Sequence, residues 1–183
     1  MVVRSQGSIA FWAHTELYLS VLKYPAAVLR KRTVPVKKIG EEIFALVEDM
    51  IETMLKEDGV GLAANQVGSE ARIFVLNTAP SEDEPKPLVF INPVVLDQQG
   101  EIIDEEGCLS FPDLYLRIPR PEEVRVYAKS IYNEGFMLDL AGILARAVMH
   151  EMDHLNGILF IDRADAAEKE KIDKYLAEPS RGI

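Results

Sequence analysis

Residues 140–155, "LAGILARAVMHEMDHL", decide the architecture. Apolar residues occupy most sides of this segment at helical spacing. A helix with so little polar surface belongs in the middle of a fold rather than on its face. Yet its last two turns carry His150, Glu151 and His154. At about 100° per residue the two histidines lie about 40° apart, one turn from each other on one face, where both can hold a single ion. Glu151 projects beside them, placed to reach a water rather than the ion. Burying two imidazoles and a carboxylate in an apolar helix is costly unless they have partners. The pattern therefore points to a metal site and not to incidental polar residues. The remaining histidine of the chain, His14, lies far away near the N-terminus.

Working outward, residues 40–56 ("GEEIFALVEDMIETMLK") place Ile43, Val47, Met50, Ile51, Met54 and Leu55 on one helical face. Acids sit in the first turn, where the helix dipole favours them, and Gly59 marks the end. Residues 72–77 and 88–96 read as strands separated by a polar loop, and residues 123–129 ("EVRVYAK") alternate at period two. A last helix is predicted over residues 164–177. Helices set between blocks of strands, without a helix after every strand, predict an α+β fold in which sheets pack around the HExxH helix. The chain of 183 residues is read as one domain over 17–183. Residues 1–16 are read as an extension or cloning-derived segment, with a signal or transit peptide as the alternative.

Composition limits the function classes. With a formal net charge of −10, broad or specific DNA binding is not expected. One stretch, residues 23–38, holds six cations and no acid, either as a solvated surface or as a contact for RNA or another acidic partner. The single cysteine, Cys108, forms no intrachain disulfide, and no apolar run is long enough to span a membrane.

A catalytic metal site needs a third protein ligand and keeps one position for water. In the pattern HExxHxxGxxH, Gly157 matches the glycine, but Phe160 stands where the third histidine should be. Glu168 or Glu170 could close the site as in a glutamate-liganded zinc peptidase, although both lie in a run of alternating charges. Cys108, in "EEGCLSFP" beside Gly107, is the better candidate. A non-catalytic metal-binding module is the third possibility.

Three segments, "GVGLAANQ" (59–66), "EGCLS" (106–110) and "HEMDH" (150–154), together resemble the peptide deformylase family in order and spacing. The resemblance runs from about residue 17 to 162. It implies an α+β domain with antiparallel sheets around the HExxH helix. It also implies removal of the formyl group from the formyl-methionine of nascent chains, with release of formate. By this resemblance Cys108, His150 and His154 are the metal ligands and Glu151 the general base and acid. The Gln66 side chain and the Leu109 backbone N–H stabilise the oxyanion. The ion implied is Fe²⁺, with Zn²⁺, Ni²⁺ or Co²⁺ as alternatives compatible with one thiolate and two imidazoles. N-formylmethionyl peptides and nascent chains are the expected substrates, a transient ribosome contact is the expected association, and the expected location is the bacterial cytoplasm, with an organelle as the alternative. Ile143 and Ala147 precede His150 by seven and three residues and share its face. With Val60 and Gly61 opposite, they are predicted to shape a pocket for an unbranched apolar side chain.

Overall fold

The protein is described by a computed structural model covering residues 18–177; the expectation for residues 1–16 lies outside these described residues. Helix α1 (Glu41–Lys56) is followed by strands β1 (Gly61–Ala63), β2 (Ile73–Asn77) and β3 (Pro87–Gln99). Then come β4 (Ile102–Cys108), β5 (Phe111–Arg120), β6 (Glu123–Lys129) and β7 (Gly135–Ala141), helix α2 (Gly142–Leu155) and helix α3 (Lys169–Ala177). Five strands form one sheet in the order β1-β2-β3-β6-β7, and β4 pairs with β5 in a separate hairpin. Every strand ladder among the described residues is antiparallel, as an α+β chain without βαβ units requires.

Strand β2 is buried along its whole length because both its faces are covered. Phe74 and Leu76 pack with Ala145, Val148 and Met152 of α2. Ile73 and Val75 face the other way, against Val47, Met50 and Met54 of α1. A strand covered on both sides reads as an unbroken apolar run, which is what "IFVL" is. Strand β6 is covered on one side only, so Val124, Val126 and Ala128 are buried while Glu123, Arg125 and Tyr127 face out. A third apolar cluster, built on Phe111, Leu116 and Ile118 of β5 with Leu29 and Phe160, holds the β4–β5 hairpin against the rest.

The starts of two helices differ from expectation. The HExxH helix begins at Gly142, two residues later than the apolar pattern suggested, because Leu140 and Ala141 pair with β6 as the end of β7. Gly142, at φ 60°, makes the strand-to-helix turn that a side chain would oppose. The C-terminal helix is shorter than residues 164–177. A 3-10 turn at Ala166–Glu168 precedes α3, and the Asp165 side chain caps that turn by accepting from Ala167 N–H.

Gly157 also finds its reason. It ends α2 at φ 72°, and a Cβ there would collide with the Arg30 carbonyl oxygen. Its match to the glycine of HExxHxxGxxH is thus a backbone requirement. Gly157→Ala is expected to lose about 1–3 kcal/mol from the positive φ alone, with the collision adding to it. Urea denaturation measures the loss.

Candidate metal centre

Three elements bring the ligands together. Cys108 ends β4, and Leu109 and Ser110 form the turn into β5. The register shifts between Gly107 and Cys108, an irregularity of the kind that re-aims a side chain. Helix α2 supplies His150 and His154. The ligand atoms of Cys108, His150 and His154 all lie within 4.8 Å of one another. Cys108 Sγ is 3.2 Å from His154 Nε2, and the two Nε2 atoms are 3.2 Å apart. Among the described residues this is the one group of three or more His, Cys, Asp or Glu side chains arranged to share an ion. Glu168 and Glu170 are not part of it.

The partner of His150 is Glu106, whose Oε1 lies 2.7 Å from Nδ1. An ionised carboxylate only accepts, so the proton sits on Nδ1 and the Nε2 lone pair faces the site. Glu106 is itself gripped by Arg120 through Nε (3.0 Å) and Nη2 (2.7 Å) and by Arg146 Nη1 (3.0 Å). Burial alone would raise its pKa. The hydrogen bonds from His150 and Arg120, and their charges, outweigh burial and hold it well below the usual carboxylate range. The Asn65 side chain donates to the His154 carbonyl at 2.6 Å and anchors the second ligand's backbone.

Glu151 is 3% exposed, and its Oε2 has no hydrogen-bond partner among the described residues. Burial pushes its pKa up to about 7; the Glu106 charge adds to this, while His150 and Arg120 oppose it. His154 is held well below its ordinary pKa, first by burial and then by the neighbouring His150. For His150 burial acts downward too, but Cys108, and after it Glu106 and Glu151, drive it well up. Cys108, Glu106 and Glu151 together favour a positive charge at this point. A divalent ion on a thiolate and two neutral imidazoles meets that demand, so the residues present fit a bound metal.

Gln66 is 1% exposed, not an exposed loop residue. Its Oε1 accepts from the Ala63 N–H at 2.9 Å, which directs the amide Nε2 toward Ser110 Oγ (3.2 Å) and Cys108 Sγ (3.7 Å). The Leu109 carbonyl accepts from Lys23 Nζ at 2.7 Å, which ties down the turn that follows the sulfur.

A cavity of about 490 Å³ opens beside these groups, and Val60, Gly61, Gln66, Cys108, Leu109, Ile143, Ala147, His150 and Glu151 all line it. Ile143 is 56% exposed at its mouth and so is not a core residue, whereas Ala147 is buried. Gly61 leaves no room for anything larger: a Cβ there would lie 2.5 Å from Glu151 Oε1. Gly61→Ala is expected to keep the metal and lower kcat about 100-fold, since a displacement near 1 Å costs that much. Metal analysis beside turnover separates the two effects.

Sequence reasoning gave no role to Glu106, Arg120, Arg146 or Asp153. Part of the signal was present: Arg146 precedes His150 by four residues and Asp153 follows it by three, so all three share a helix face. Nothing local, however, joins Glu106 to a histidine 44 residues away.

Residues 18–170 match the family model described as "Polypeptide deformylase". A peptide deformylase from Tolumonas auensis is 41% identical over 163 residues, covering 89% of this chain and 96% of that protein. One from Clostridium botulinum is 47% identical over 144 residues, covering 79% and 95%. Among solved structures, a plant peptide deformylase superposes with a TM-score of 0.83 at 35% identity, covering 90% of each chain. The peptide deformylase of Synechococcus elongatus, in complex with actinonin, gives 0.80 at 38% identity, covering 85% of this chain and 86% of that one. With the sulfur–imidazole–imidazole cluster, the likeness in sequence over nearly the full length of these relatives and the shared fold, the chain belongs to the peptide deformylase family.

Proposed function

We propose that Cys108, His150 and His154 hold one divalent ion and that Glu151 moves the proton in removal of the formyl group from formyl-methionyl peptides. The observation that carries this reading is the convergence of the three ligand atoms beside a buried carboxylate with an unpartnered oxygen. When bound, the ion supplies Lewis-acid activation of water and of the formyl oxygen. Glu151 takes the proton of the attacking water and passes it to the leaving nitrogen as the C–N bond breaks, giving formate and a free amine. Burial, which raises its pKa, favours the return of the proton, and the charge of a bound ion would favour its removal from water. The Gln66 amide and the Leu109 N–H are the donors assigned to the developing oxyanion. Removing one such donor costs about 2.7–4 kcal/mol of barrier. Val60, Gly61, Ile143 and Ala147 form the wall assigned to the methionine side chain.

The native ion in this proposal is Fe²⁺, chosen from the ions that one thiolate and two imidazoles accept. The substrates are nascent chains, met in the cytoplasm, as expected for relatives of bacterial origin. Residues 17–183 act as one domain. No helix among the described residues is long and apolar enough to cross a membrane. Of the cations in residues 23–38, Arg30 is paired with Asp162, Lys31 with Glu70, and Lys23 binds the Leu109 carbonyl. A ribosome contact through this stretch therefore rests on Arg32, Lys37 and Lys38. Charge reversal at these three is expected to reduce co-sedimentation with ribosomes.

The test of the whole reading is release of formate from formyl-Met-Ala by the metal-loaded protein, with free Met-Ala as the second product. Metal-loaded, folded protein that leaves this peptide untouched would sink the assignment.

A further inference from the structure

A line of alternating charges runs from the surface to the ligand His150. Arg163, with its side chain 45% exposed, grips both oxygens of Asp153 through Nε (3.0 Å) and Nη2 (2.6 Å). Asp153 is buried and accepts from Arg120 Nη1 at 2.6 Å. Arg120, 3% exposed, turns its other two nitrogens onto Glu106, and Glu106 accepts from His150 Nδ1. Every contact in this line is a charge-assisted hydrogen bond, and all but the outermost group are buried.

We propose that Arg163 is a positioning residue for the metal centre, acting through Asp153, Arg120 and Glu106 on the orientation and tautomer of His150. The inference rests on the metal-site reading above. Its physical basis is the fixed geometry of the guanidinium fork. Arg120 has one edge on Glu106 and one nitrogen on Asp153, so the plane of its guanidinium follows wherever Asp153 is held. Asp153 in turn has both oxygens fixed by Arg163. With Arg163 removed, one Asp153 oxygen loses its only charged partner and that carboxylate can rotate toward water. Arg120 then loses its reference on that side, and with it the fixed plane that sets the Glu106 oxygen facing His150. Exposed ion pairs usually contribute little, but here one partner is 5% exposed and continuous with a buried network. Arg163 lies outside all three family segments, so only the contacts single it out.

The experiment uses the full chain in its metal-free form, with Zn²⁺ affinity read by competition against a chelating dye and the visible spectrum read after Co²⁺ loading. Glu106→Gln can still accept from Nδ1 but loses the charge that holds Arg120 and Arg146, and is expected to weaken Zn²⁺ binding about 10–100-fold, the usual cost of changing a ligand's hydrogen-bond partner. Arg163→Gln, further out on the same line, is expected to weaken it roughly 3–10-fold and to shift the cobalt bands in the same direction. Arg163→Lys keeps the charge but not the fork, and is expected to behave more like Gln than like wild type. In the Glu106→Gln background Arg163→Gln should have no further effect. Wild-type affinity and spectrum in Arg163→Gln, full restoration by Lys, or an undiminished effect in the Glu106→Gln background would each overturn the proposal. A wild-type protein that takes up neither Zn²⁺ nor Co²⁺ overturns the metal-site reading itself, and this inference with it.

Discussion

Glu151→Gln is expected to bind metal like the wild type and to release formate at a rate reduced by about 10²–10⁴-fold or more. Metal retention follows from geometry: the three ligand atoms belong to Cys108, His150 and His154, and the Glu151 carboxyl is outside that set. The loss of rate follows from chemistry, since an amide of the same shape can neither take the proton from water nor return it to the amine. Stability should not suffer. The wild-type carboxylate is buried with one oxygen unpartnered, and a charge in that setting contributes nothing to holding the fold. Metal content, turnover of formyl-Met-Ala and Tm are therefore measured on the same preparation. A variant that loses its metal together with its activity would mean that Glu151 is a ligand and not the base.

The second large effect is at the sulfur. Cys108→Ser is expected to lower metal affinity by more than the roughly 10–100-fold typical of changes one sphere further out. A hydroxyl is not ionised near neutral pH and is a far poorer ligand than a thiolate for a site completed by two imidazoles. Glu168→Gln and Glu170→Gln should leave affinity unchanged, because neither carboxylate belongs to the ligand cluster. The opposite pattern, metal lost with either glutamate and kept without the sulfur, would restore the zinc-peptidase reading. Dialysis against a chelator followed by metal analysis of the four proteins decides between them.

Much of this centre follows from local periodicity. Two histidines four apart in an apolar helix share a face whatever surrounds them, so their joint role is a property of the helix. Strand β6 was expected over residues 123–129 and occupies them, because one face is buried and the other wet. Cys108 was reached by elimination and by family resemblance. Strands β4 and β5 are not legible in the sequence. Pro112 and Pro119 interrupt the β5 pattern, and the acids of "IIDEEGC" hide the β4 pattern. The pairing of these two strands in a hairpin outside the main sheet, at whose turn the sulfur sits, is a long-range choice. The start of α2 was misplaced for a related reason: Leu140 fits the helical pattern as well as the edge strand, and only pairing with β6 decides.

Spacing along the chain was enough to place the two imidazoles, and helical geometry put Ala147 and Ile143 beside them. Which carboxylate aims His150, why Gln66 presents its amide rather than its oxygen, and why burial raises the pKa of Glu151 were decided by tertiary packing alone. Glu106, Arg120, Asp153 and Arg163 come from β4, β5, α2 and the turn after it, and their mutual attraction exists only once those elements meet. Hydrogen bonding and charge act over a few ångströms through space, and burial sets their strength. Periodicity along the chain carries none of that information.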